Sequence, residues 1–400
     1  MYLQLSLLFP LLSLVLGGPT AKRAEPAPLL IPRGNNISLV PEEYIVKLKQ
    51  GSALGALEDA MKIMPGGAGR VFDSIFKGFT GKLNPATLAA LRAHPDVDYV
   101  EQNALIQAYG TVTQSQAPWG LARISHKRTG ASKYIYDSKA GAGTCAYVVD
   151  SGLDDSHPDF EGRAKFVARF IGNSNKDNCL HGTHVAGTIA SKTFGVAKKA
   201  NVYGIKVLEL NSRGECGAEI STIIAGMEEV AKDVAKRKCP KGVVVNMSLG
   251  GGKSQSLNNA AAALVKKGYF VAVAAGNGDE NGVPQDSNDF SPASEPSVCT
   301  VGSVDARDQT APDTNYGNKV DIHAPGVDVL STRVGGGSLR MSGTSMATPH
   351  VAGLGAYFLS LDKSPASNMC AYLQKNALQG VIGDLNRGTR NLLAQNGVGA

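Results

Sequence analysis

Cys145-Ala146-Tyr147-Val148-Val149-Asp150-Ser151-Gly152 is the stretch that sets the architecture. It is a near-continuous apolar run that stops on a carboxylate and turns at a glycine. Short unbroken apolar runs fit strands covered on both faces. The pattern recurs downstream. A helical pattern over 181–191 is followed by a strand-like run Val202–Leu208 and a helical pattern over 219–236. Val243–Met247, a helix over 256–267, Phe270–Ala274, Cys299–Val304 and a long helix over 344–361 complete the series. Strands alternating with helices predict an α/β domain with a doubly wound parallel sheet. The 219–236 helix is amphipathic. Ile220, Ile223, Ile224, Met227, Val230 and Val234 fall on one face, with Glu228, Lys232, Asp233 and Lys236 toward the other.

The chain before residue 110 has a different texture. Tyr44–Leu48, Arg70–Phe76, Gly78–Leu83 and Val97–Val100 read as strands, and Ala53–Met61 and Pro85–Ala93 as helices. That β-α-β-β-α-β order predicts a small α+β, ferredoxin-like unit. It carries no chemical motif. All six cysteines lie at or beyond Cys145, so a removable pro-segment is expected. Thr20–Arg33 is rich in Pro and Ala and reads as a linker. Residues 1–16 are almost wholly apolar and precede Gly17 and Gly18, which reads as an export signal cleaved near Gly17. The run is shorter than the roughly 20 residues of a membrane span. The expected divisions are 1–17 as signal, 18–109 as pro-segment with its folded part about 41–105, and 110–400 as the main domain.

Composition narrows the function. The 400 residues are 43% hydrophobic, 18% charged and 6% aromatic, which excludes disordered, collagenous and coiled-coil chains. The net charge of +6 is small for this length and no basic block is present, so nucleic acid is not an expected partner. Six cysteines in an exported chain suggest disulfides, in any of 15 connectivities, and the absence of a CxxC pair speaks against structural zinc.

Three motifs carry chemistry. Asp150 ends a parallel strand, where α/β sheets place ligands, although Asp before a Gly turn is also common. His181-Gly182-Thr183-His184 opens a small-residue helix. It can present an imidazole in a cleft, or hold a metal pair, or bury His184 as a core histidine. Ser342-Gly343-Thr344-Ser345-Met346-Ala347-Thr348-Pro349-His350 places a serine at a helix start. Such a serine is an ordinary cap, or a nucleophile whose own N–H supports an oxyanion. Together, in the order Asp, His, Ser, they supply an orienting acid, a base and a nucleophile. The G-x-S-x-G elbow of an esterase is absent, since Ala347 stands two residues after Ser345.

With Ser248-Leu249-Gly250-Gly251, Ala274-Ala275-Gly276-Asn277 and Ser291–Cys299, these motifs make the chain resemble the subtilisin-like serine peptidases, and within them the fungal proteinase K branch. The resemblance runs from Ala117-Pro118-Trp119 to Asn391-Leu392-Leu393-Ala394, and 41–105 resembles the family's inhibitor pro-domain. It implies Asp150, His181 and Ser345 as the triad and Asn277 as the oxyanion donor. Ser248, Leu249, Gly250 and Gly251 would form one cleft wall and Gly214 to Gly217 the other. Ala274, Ala275 and Gly276 would line the first specificity pocket. No charge is expected at its floor, so apolar or aromatic residues should precede the scissile bond. Self-cleavage is expected after Tyr109, with the freed pro-domain acting as inhibitor. The resemblance pairs Cys145 with Cys239 and Cys299 with Cys370, and places Cys179 and Cys216 where some relatives carry a bridge. It implies structural calcium on the backbone oxygens of Pro296 and Val298 and the carboxylate of Asp321. A second calcium site would be lost, with Val381 and Lys127 at its positions. No cofactor is expected for catalysis. Protein and peptide substrates are the expected partners of a monomer without a membrane anchor. Asn36-Ile37-Ser38 and Asn246-Met247-Ser248 are glycosylation sequons, the second expected to be buried and unused.

Overall fold

A computed structural model describes residues 25–33, 38–53, 55–105 and 110–398. The expected export signal, the 36–38 sequon's acceptor Asn36 and the expected cleavage point at Tyr109 lie outside these residues. The chain divides into two compact units, 1–108 and 109–400.

In the first unit a five-stranded sheet runs Leu29–Leu30, Val97–Leu105, Ser38–Leu48, Gly78–Lys82, Val71–Phe72. Helices Ala56–Lys62 and Pro85–Arg92 complete the expected order. Val46, Leu48, Ala60, Phe79, Leu91, Val97 and Val100 form its core. The second helix starts because Pro85 follows Asn84, whose side chain accepts the Thr87 N–H at 2.8 Å. Two details differ from expectation. The supposed linker contributes the parallel edge strand Leu29–Leu30, anchored where the Ala27 N–H donates to the Arg92 carbonyl and Arg92 Nε donates back to the Ala27 carbonyl, each at 2.7 Å. The strand expected over Arg70–Phe76 is only Val71–Phe72, and Ile75 stands exposed beyond it.

The second unit is built on a nine-stranded sheet. Its order is Leu378–Gln379, Leu392–Leu393, Ile322–Pro325, Cys299–Val304, Phe270–Ala274, Val243–Met247, Cys145–Asp150, Asn201–Lys206, Ala164–Arg169. All neighbours are parallel except the terminal pair Leu378–Gln379 with Leu392–Leu393. The apolar run at 145–150 explains the layering. Ala146 and Val148 pack on one face with helices His181–Ala190 and Thr344–Ser360. Cys145, Tyr147 and Val149 pack on the other with Ile220–Val234 and Gln255–Lys266. Period-two alternation therefore feeds two apolar cores. Asp233, expected on the polar side of its helix, is buried instead. Tyr147 Oη donates to it at 2.8 Å and Arg237 grips it with two bonds of 2.8 Å.

The three cysteine pairs close as Cys145–Cys239, Cys179–Cys216 and Cys299–Cys370, spanning 94, 37 and 71 residues, and no described cysteine is free. Among the described residues no helix is long and apolar enough to cross a membrane. After the strand Cys145–Asp150 the chain builds outward to one side, then returns with Val243–Met247 on the other. The crevice beyond the carboxyl ends of these two strands is the topological switch point where open α/β sheets bind ligands.

Candidate active site

Asp150 is the last residue of its strand and fully buried. Its Oδ1 accepts the Ser151 N–H at 2.7 Å and lies 2.7 Å from His181 Nδ1. His181 is the first residue of its helix, and Leu180 in the left-handed region, φ 62°, swings the chain into it. Gly182 is required by close approach. A Cβ there would sit 2.2 Å from the Gly152 carbonyl oxygen. A second carboxylate backs this pair. Asp177, also buried, accepts the Ser151 hydroxyl at 2.7 Å and the Thr183 N–H at 2.8 Å, while the Gly182 N–H donates to Ser151 Oγ at 2.9 Å. Behind them Lys206, fully buried, donates to the Ser151 carbonyl at 2.7 Å and pairs with Glu209 at 3.2 Å. Burial pushes the His181 imidazole toward lower pKa. The charge and hydrogen bond of Asp150, with the charge of Asp177, outweigh it and hold the group above its ordinary 6.5.

His184, three residues on, is a core histidine. Its Nε2 faces the Val329 and Leu339 carbonyls at 2.9 and 3.1 Å, and burial pushes its pKa down to about 4. That disposes of the metal-pair reading.

Ser345 is the second residue of the helix Thr344–Ser360. Gly343 before it has φ 134°, a conformation that favours glycine. Pro349 lies four residues after Ser345 and has no N–H to give the Ser345 carbonyl. Ser248 Oγ takes over that duty at 2.8 Å, and Ser345 Oγ donates back to the Ser248 carbonyl at 3.1 Å. Asn246 Nδ2 in turn donates to Ser248 Oγ at 2.9 Å, so the sequon at Asn246 is buried and engaged. Among the described residues no hydrogen bond joins Ser345 to His181. The expected chain of three groups is thus half made. The imidazole is aligned by Asp150, while the hydroxyl rests on Ser248.

Asn277 is oriented by its own contacts. Its Oδ1 accepts the Thr344 N–H and the Thr344 hydroxyl, each at 2.8 Å. The carbonyl end is fixed by these donors, and Nδ2 has no partner among the described residues. Asn315 holds the segment behind it. This buried amide accepts the Gly278 and Gln285 N–H groups at 3.0 and 2.9 Å and donates to the Ala275 carbonyl at 3.0 Å.

His181, Ser345 and Asn277 line one cleft of about 490 Å³ with Ser248, Leu249, Gly250, Gly217 and Ala274, Ala275 and Gly276. No Asp, Glu, Lys or Arg is among its lining residues. Of the expected wall residues, Gly214, Glu215 and Gly251 lie off it. Gly214 turns the hairpin at Asn211–Glu215, and Gly251 is already paired with Ser291 in a short antiparallel ladder. Reading the sequence missed Phe290 and Met341 on the lining, and Asn315 behind it. None belongs to a motif with chemistry of its own. Cys179 and Cys216 reach the cleft as well, so a disulfide borders it two residues before His181.

The calcium set does not fit. Asp321 Oδ1 already accepts Gln374 Nε2 at 3.0 Å and Arg390 Nη1 at 2.9 Å, and Oδ2 accepts the Thr300 N–H at 3.0 Å. The carboxylate that was to face calcium with the Pro296 and Val298 carbonyls already gives three of its about four acceptor positions to the chain's own donors, and Oδ1 has none left for an ion.

A serine at a helix N-terminus, an imidazole aligned by a buried carboxylate and an amide donor on one cleft form a centre equipped for serine-dependent acyl transfer on a parallel α/β sheet. Comparison with known proteins supplies the family. Residues 141–399 match the Subtilase family and residues 43–109 match Peptidase inhibitor I9. Proteinase R of Parengyodontium album is 49% identical over 398 residues, covering 98% of this chain and 99% of that protein. The cuticle-degrading protease of Metarhizium anisopliae is 48% identical, covering 99% and 100%. A solved cold adapted subtilisin-like serine proteinase superposes with a TM-score of 0.63 at 36% identity, over 70% of this chain and 99% of that one. The chain belongs to the subtilase family and is a serine endopeptidase.

Two outcomes follow from the geometry. Asp177→Asn removes a negative charge that favours the imidazolium, so the acid limb of the kcat/KM profile moves to lower pH. Steady-state kinetics across pH checks this, with an unmoved limb as the contrary result. Ser248→Ala leaves the Ser345 carbonyl without its donor and lowers stability by about 1–3 kcal/mol in denaturant unfolding, with kcat falling more than KM rises.

Proposed function

We propose that this protein is an exported zymogen of a broad-specificity serine endopeptidase that prefers apolar or aromatic residues before the scissile bond. The observation that carries the reading is the Asp150–His181 hydrogen bond, on the same uncharged cleft as the Ser345 hydroxyl and the Asn277 amide. Ser345 is the nucleophile. Its hydroxyl leaves the Ser248 carbonyl by rotation about χ1 and meets His181 Nε2 when substrate arrives, since catalytic hydrogen bonds often tighten only in the complex. His181 takes the proton as base and returns it to the leaving amine. Asp150 accepts the Nδ1–H and stabilises the imidazolium. The oxyanion is held by Asn277 Nδ2 and the Ser345 N–H. A side-chain donor of this kind contributes about 10²–10³ in kcat, a magnitude known from subtilisin itself. The family's chemistry needs no cofactor.

The wall at Ser248–Gly250 carries little side chain beyond Leu249, so an extended peptide can bond to its backbone as an added strand. Small residues at 274–276 and the absence of charge on the lining support an apolar pocket. The match of 43–109 to an inhibitor family supports a pro-segment over 18–109, folded over about 41–105, that blocks the cleft until it is degraded. The apolar stretch at 1–16 supports export. In this reading the protein works as a monomer.

A cleavage-site profile of the purified enzyme on a mixed protein substrate tests the specificity. Phe, Tyr, Leu and Ala are expected before the cut bond, and activity should vanish with a serine-directed covalent inhibitor. A profile dominated by Lys and Arg overturns the reading. N-terminal sequencing of the mature protein is expected to begin within a few residues of Gly110, and a start well beyond Trp119 refutes self-cleavage after Tyr109.

A further inference from the structure

Asp321 lies just before the strand Ile322–Pro325, beside the Cys299–Cys370 bridge. One of its carboxylate oxygens and the two sulfurs lie within 4.8 Å of one another. Sulfurs joined to each other offer no thiolate to a metal, so the carboxylate is the one anionic ligand there. Three donors from distant parts of the chain converge on it. The Thr300 N–H comes from the neighbouring strand Cys299–Val304. The Gln374 amide comes from the helix Met369–Asn376 and also bonds the Asp321 carbonyl at 3.1 Å. The Arg390 guanidinium comes from the segment leading into Leu392–Leu393. A carboxylate offers about four lone-pair positions, and three are taken.

We infer that Arg390 is the built-in cation of this site: its guanidinium, seated with the Gln374 amide on Asp321, does the work of a divalent ion and makes calcium unnecessary there. A bound ion would gather a carboxylate and backbone oxygens from separate segments around one positive charge. Arg390 gathers the same carboxylate with a charge that never titrates away. The two side chains reach Asp321 across 53 and 69 residues of sequence, so they tie the carboxyl end of the chain to the sheet. An ion stabilises a fold by mass action, to an extent that rises with the logarithm of its free concentration. A guanidinium tethered to the chain carries no such dependence. A divalent ion held by both carboxylate oxygens would have to displace the groups already in hydrogen-bond contact with Oδ1, and one held by Oδ2 alone would sit beside the guanidinium's positive charge.

Thermal unfolding at one fixed scan rate tests this, on enzyme blocked with a serine-directed inhibitor so that self-digestion does not intervene. Wild type is expected to unfold at the same temperature in EDTA and in millimolar calcium chloride. Any calcium-dependent rise that persists in Asp321→Asn arises elsewhere and agrees with the inference. The double variant Arg390→Ala/Gln374→Ala frees the carboxylate. Its Tm in EDTA is expected to fall by about 2–4 °C, calcium should restore it, and adding Asp321→Asn should abolish the restoration. Should Asp321→Asn not fold, the calcium response of Arg390→Ala against wild type carries the same test. Two results overturn the inference. One is a calcium-dependent rise in wild type that Asp321→Asn removes. The other is a loss in the double variant that calcium does not restore, which would make Arg390 an ordinary ion pair.

Discussion

The hydrogen bond between His181 Nδ1 and a wholly buried Asp150 is the contact around which the second unit is arranged. A carboxylate out of water is costly unless it is paired and hydrogen-bonded. Asp150 meets that condition at Oδ1, which takes both the Ser151 amide and the imidazole, while the buried Oδ2 has no hydrogen-bond partner among the described residues. Asp177 and Glu209 add negative charge to the neighbourhood, and Lys206, also out of water, is the compensating cation on the adjacent strand, in register with Asp150. The balance leaves an excess of negative charge facing His181. The ring is therefore aligned and biased toward holding a proton, the property a base needs at the moment it deprotonates a serine.

The second constraint is a missing backbone donor. Pro349 denies the Ser345 carbonyl its helical bond, and Ser248 supplies one from the end of Val243–Met247. Two reciprocal bonds then join a helix start to a strand end. Thr344 extends the stitching to Asn277, and Asn315 extends it to the segment from Ala275 to Gln285. The groups proposed to act on substrate are thus positioned by backbone and buried amides rather than by flexible surface contacts.

Much of this was legible in the sequence, for physical reasons that differ by element. Runs such as Cys145–Val149 and Phe270–Ala274 announce themselves because both faces of the strand are apolar. The edge strand Ala164–Arg169 does not, since Lys165 and Arg169 interrupt it and an edge tolerates charge. The short strands Ile322–Pro325 and Leu392–Leu393 escape for a similar reason, being too brief for periodicity. Asp150, His181 and Ser345 stood out because glycine and small residues clear the space around each. Asn315 and Asp177 were invisible because their work is done through contacts with residues remote in sequence. The partners of Asp321 escaped in the same way. A carboxylate can be read from a sequence, but the arginine and amide that reach it across 69 and 53 positions cannot.

The spread of the machinery along the chain has a consequence for synthesis. Asp150 and Ser345 meet only after the intervening strands have paired in parallel, and the helix that carries Ser345 is buried along nearly its whole length. Pairings of such long range form late and slowly. A ribosome-bound fragment ending before this helix lacks the proposed nucleophile, so chain order alone keeps the nascent chain without it until residue 345 has emerged.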